Sequence, residues 1–79
     1  MSTAETLADR ACDLAGAGAD TDTAVRELLD CCADRRVSVV MARRSLVERL
    51  EGGGADPTLS RAVEILDETL RAGPWGEVA

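Results

Sequence analysis

The chain has 79 residues, nine Arg, fifteen Asp and Glu, and a net charge of −6; it contains no Lys, His, Phe or Tyr. That length allows one domain, which we place at residues 1–72, with 73–79 as a short C-terminal tail. The acidic balance argues against nonspecific binding to nucleic acid or an anionic membrane, and the missing His removes the commonest general base and metal ligand.

The first predicted element runs from Thr3 to Ala15. Ser2 and Glu5 have the spacing of a capping box, and Leu7, Ala11 and Leu14 recur at helical intervals. Most of this stripe is Ala, so it buries little. Gly16 and Gly18 end it, and the AGAGAD run reads as a flexible connector.

The second element spans Asp22 to Arg35. Asp20, Thr21 and Asp22 are all competent N-caps, and Val25, Leu28, Leu29 and Cys32 fall at i, i+3, i+4 and i+7. Arg26 and Asp30 have the spacing of an outer-face ion pair.

The third element, taken as a helix over 38–51, has two readings. As a helix it gathers Val39, Val40, Leu46, Val47 and Leu50 into one arc, with Arg43 in its middle. As a strand, Val37, Val39 and Met41 alternate with Ser38. In the helical reading, Arg43 either lays its aliphatic stem on the core and reaches water, or finds a specific acid. Gly52, Gly53 and Gly54 end the element in both readings.

The fourth element, 57–72, starts with Asp56 as N-cap and Pro57 at the first helical position. Leu59, Ala62, Val63, Leu66 and Leu70 form its apolar stripe; Arg61, Glu64, Asp67, Glu68 and Arg71 cover the other side. Gly73 and Pro74 stop it. The fold expected is all-α, a small bundle of three or four helices. Its larger apolar side chains are few, so homodimerisation is an expected way to complete the core.

Charge is unevenly distributed. Residues 1–34 carry eight acids and two Arg, residues 35–50 five Arg and one Glu, and residues 51–79 six acids and two Arg. The basic centre either packs between acidic neighbours or is presented to an acidic partner. Arg35, Arg36, Arg43, Arg44 and Arg49 are therefore candidate protein-binding residues, joined by Trp75 as a potential interface anchor.

Chemistry-bearing motifs are missing. Cys31 and Cys32 are adjacent and Cys12 lies nineteen residues earlier, neither the spacing nor the number a zinc site needs. The triple glycine lacks the Gly-Lys-Ser/Thr of a phosphate loop. Ser and Cys have no His or Lys to activate them. We expect no catalytic residues, no metal and no cofactor. No basic segment followed by an apolar run opens the chain, and no stretch approaches the ~20 apolar residues that span a bilayer, so the expected location is the cytoplasm.

Two family resemblances are worth stating. Arg36-Val37-Ser38-Val39, Leu46-Val47-Glu48-Arg49-Leu50 and Pro57-Thr58-Leu59-Ser60-Arg61-Ala62-Val63 together resemble a ribbon-helix-helix regulator over residues 36–71. The resemblance implies a dimer whose paired strands enter the DNA major groove with Arg36, Ser38 and Val40 outward, as in a DNA-binding regulator or antitoxin. In outline, an acidic four-helix chain of this length also resembles acyl carrier proteins. Their modified Ser sits in Asp-Ser-Leu, and the nearest matches here, Arg44-Ser45-Leu46 and Val37-Ser38-Val39, lack the Asp. The reading preferred on sequence is a non-enzymatic interaction module, regulatory or adaptor-like, that binds a partner protein through the Arg-rich central helix.

Overall fold

Four helices build the chain, in a computed structural model that describes residues 3–31, 36–53 and 56–73. They are α1 (Thr3–Gly16), α2 (Thr21–Cys31), α3 (Arg36–Gly53) and α4 (Pro57–Ala72). The all-α bundle expected from the periodicity is the fold observed. Residues 36–41 are helical, so the strand alternative does not hold. The third helix starts two residues before its predicted start and carries on through Gly52 and Gly53. Helix α2 extends from Thr21, and the Cys32–Arg35 end expected for it lies outside the described residues.

Local chemistry explains the boundaries. Helix α1 closes with a Schellman motif: Ala19 N donates to the Leu14 carbonyl at 3.1 Å, Gly18 N to that of Ala15 at 3.2 Å, and Gly18 has φ +77°. The motif needs a left-handed residue, and glycine supplies it without strain. Leu14 and Ala19, the pair that this motif brings together, both pack on the core. The α1–α2 connection is therefore a hydrogen-bonded turn and not the flexible linker that its composition suggests.

Of the three candidate caps of α2, Asp20 is the one used; its carbonyl accepts from Ala24 N at 2.9 Å. Hydrogen bonds from Thr23 hold its carboxyl below the usual carboxylate range. The Asp56 carboxylate caps α4, accepting from Thr58 N at 2.9 Å and Leu59 N at 3.3 Å, with Pro57 next in line. Gly73 is extended (φ −65°, ψ 153°), as a residue before proline should be, so α4 stops at Pro74 and not by a left-handed glycine.

The core consists of Leu7, Ala8, Ala11, Ala24, Leu28, Val39, Ala42, Leu46, Ala62, Ile65 and Leu66, all fully buried. Nearly half are Ala, so the helix backbones approach closely over small contacts. Helices α1 and α4 each touch all three other helices; α2 and α3 do not touch each other among the described residues. Serving three neighbours requires α4 to bury a wider face than its predicted stripe. Ile65 and Thr69 are both fully buried, whereas Leu59, Val63 and Leu70 flank the core. The Thr69 hydroxyl is satisfied by donating to the Ile65 carbonyl at 2.8 Å.

Two consequences are measurable. Leu46→Ala should cost about 2–5 kcal/mol in urea unfolding, because Leu46 fills the core, while Met41→Ala on the same helix should change stability in dilute solution by less than about 0.5 kcal/mol. The second concerns acid. The folded-state carboxyl of Asp20 titrates below its unfolded counterpart, so its contribution is present above the unfolded value of ~3.9 and fades as pH falls through the lower folded value. Asp20→Asn, which keeps the acceptor and removes the titration, should show a shallower loss of Tm than wild type below about pH 4.

Candidate functional site

Helix α3 carries four of the six sequence-derived candidates, and its neighbours divide them. Its inner face presents Val39, Ala42 and Leu46 to α1 and α4. Val40, which the predicted arc placed with them, is on the surface, and Ala42 takes the buried position. The arc was centred about one residue off.

Arg43 sits beside this face and pairs with α4: its Nε donates to Asp67 Oδ1 at 2.5 Å. The two residues lie equally far from the α3–α4 connection, so the antiparallel hairpin brings them level. Both are only half-buried, which keeps the desolvation cost low. Of the two outcomes foreseen for Arg43, the specific ion pair is realised.

Arg49 is exposed and is in none of the ion pairs of the described residues. Its charge acts on Cys12 of α1, drawing down a thiol that burial, Asp9, Asp13 and Asp56 push upward. Burial is the largest influence there and leaves the Cys12 thiol above its ordinary value, a setting that disfavours thiolate chemistry. Arg44 pairs within its own helix, Nε to Glu48 Oε2 at 3.8 Å, in a fully solvated geometry. Arg36, the first residue of α3, is exposed, and no ion pair links it to another described residue. Arg35 and Trp75 lie outside the described residues. The basic segment is thus not one strip: Arg43 is tied to Asp67 of α4, Arg49 acts on Cys12 of α1, and Arg36 and Arg44 look outward.

Composition alone missed what lies between the outward pair. Val37 (65% exposed), Met41 (57%) and Val40 (39%) are the exposed large apolar side chains of the described residues. They fall at i, i+3 and i+4 on one face of α3, the side turned away from Val39, Ala42 and Leu46. The signal was in the sequence; read at period two, it resembled a strand. Beside this face a shallow groove runs between α3 and α4, lined by Val40, Arg43, Val47, Asp67 and Leu70 among others.

Arg61 is a second residue whose role the sequence did not disclose. Counted as outer cover, it ties α4 to the start of α2, donating from Nη2 to Thr21 Oγ1 at 2.7 Å, and from Nη1 to Glu64 at 3.3 Å. Arg71 pairs with Glu68 on the same helix. The expected Arg26–Asp30 pair is not among the ion pairs of the described residues; both line an open groove between α2 and α4.

Among the described residues no three Cys, Asp or Glu side chains gather as metal ligands, and no helix is long and apolar enough to cross a membrane. No protein-family model, no curated protein and no solved structure matches this chain.

The ion pair at the α3–α4 seam yields a direct test. A double-mutant cycle with Arg43→Ala and Asp67→Ala, read by urea unfolding, should give a coupling of about 1 kcal/mol or less that shrinks in high salt.

Proposed function

We propose that the protein is a non-enzymatic interaction module, regulatory or adaptor-like, that binds a partner protein through the outer face of α3. One observation carries this reading. In a chain short of large apolar residues, Val37, Val40 and Met41 are spent on one solvent-facing side of a single helix, bordered by Arg36 and Arg44. Exposed apolar residues scattered singly are ordinary; a contiguous set rimmed by charge has the composition of a binding surface. The mode it suits is helix-on-helix docking, read by residues at i, i+3, i+4 and i+7.

Sequence supports the rest of the reading: the chain has no His and no phosphate-loop or zinc-ligand spacing, which fits work by contact. The ribbon-helix-helix alternative needs a strand at 36–41, where α3 has its first turns. The carrier alternative needs Asp-Ser-Leu at the start of a helix; Ser45 lies in the middle of α3, and Ser38, in its first turn, has Val37 and Val39 where the motif has Asp and Leu.

The test is capture from cells that express the protein natively, comparing wild type with Met41→Glu and Val37→Asp. Both positions are solvated, so helicity and Tm should stay near wild type while capture falls at least about tenfold. Arg36→Glu should slow association more than it speeds dissociation. Undiminished capture by both apolar-to-acid variants would remove α3 as the binding face.

A further inference from the structure

We infer that the occupant of the outer face of α3 is a second copy of the same face, packed antiparallel across a two-fold axis. The inference rests on the interaction reading above and names its partner. Charge along α3 is the argument. Of the residues turned away from the core, those toward the start of the helix are Arg36, Val37, Val40, Met41 and Arg44; those toward its end are Glu48 and Glu51. One half of the face is apolar and cationic, and the other is anionic.

An isologous contact brings a surface onto itself, so it must be self-complementary. A parallel pairing would set Arg against Arg and Glu against Glu. An antiparallel pairing sets the Arg36 end of each helix against the Glu48–Glu51 end of its mate, with Arg44 near the axis. With the two-fold level with residue 42, Val37 lies level with Val47 of the second copy, and Arg36 falls within one helical turn of its Glu51. Val40 meets the aliphatic stem of Arg44, whose guanidinium extends to the rim. The heptad-like spacing of Val37, Val40, Arg44, Val47 and Glu51 is the geometry such a seam uses.

Two further features fit. Among the described residues α3 touches only α1 and α4; Val37 and Met41 are open to solvent, and Val40 and Val47 border the groove beside α4. The Arg44–Glu48 pair is long, at 3.8 Å, and solvated, so its charges can be re-partnered at little cost. The face is small. Eighteen residues make a helix of ~27 Å, so the contact falls at the weak end of specific interfaces, with dissociation in the micromolar range.

Sedimentation velocity on the full chain across about 1–500 μM tests this, with circular dichroism as the control for folding. Wild type should shift from monomer to dimer over that range, and Met41→Glu should remain monomeric. Arg36→Glu with Arg44→Glu makes the face wholly anionic, and Glu48→Arg with Glu51→Arg makes it wholly cationic; each chain alone should dimerise at least about tenfold more weakly. Mixed in equal amounts, the two should form a heterodimer close to wild-type strength. A wild type that stays monomeric throughout overturns the inference, as does a dimer indifferent to Met41→Glu or a mixture that fails to associate. If a monomeric wild type still captures another protein in a Met41-dependent way, self-pairing fails and the interaction reading stands. If Met41→Glu alters neither, both fail.

Discussion

The shortage of large apolar side chains governs the architecture. With no aromatic residue in the described core, and five of its eleven fully buried members Ala, no pair of helices can bury enough surface alone. The structure answers by placing α1 and α4 at the centre, each against three neighbours. That arrangement forces α4 to be apolar over a wide arc, and it explains why a threonine sits fully buried there with its hydroxyl turned back on its own helix. It also makes Val37, Val40 and Met41 conspicuous. They are apolar residues that a small core would use, placed where the core cannot reach them.

Electrostatics then orders what packing leaves loose. The Arg residues of α3 separate by angle around the helix. Arg43, on the α4 flank, pairs across the α3–α4 hairpin with Asp67, and Arg49 acts on the Cys12 thiol of α1. Arg61 does the corresponding work at the α2–α4 seam through an uncharged acceptor, Thr21. Each of these contacts is at least partly solvated, so each serves geometry more than stability. The residues left over, Arg36 and Arg44, are those that flank the exposed apolar set.

Much of the fold was readable in advance. Four periodic segments punctuated by Gly and Pro gave four helices, and the Asp56-Pro57 start and Pro74 stop of α4 are local chemistry that tertiary context did not alter. The errors have physical causes. Gly52 and Gly53 stayed helical because the last turn of a helix tolerates glycine where a sequence pattern sees only a breaker. The buried arc of α3 was misjudged because Ala42 counts little in a hydropathy pattern yet is the residue small enough to face a close neighbour. The candidate site was only half readable: charge picked the right helix, but which Arg turns outward depends on where α1 and α4 pack, and a one-dimensional pattern does not contain that.

The missing contact between α2 and α3 has a consequence for how the molecule opens. Among the described residues helix α2 is the shortest of the four and is held by α1 and α4 alone, with the Arg61–Thr21 bond fastening its first turn. It is the natural first unit to detach in a sub-global fluctuation, baring Leu28 and the part of α4 that it covers while α1, α3 and α4 stay packed. The outer face of α3 would be unchanged in such a state, because no part of it depends on α2. Breathing of the bundle and presentation of its exposed helix are therefore mechanically separate, and the surface offered to a partner outlasts the loosest element of the fold.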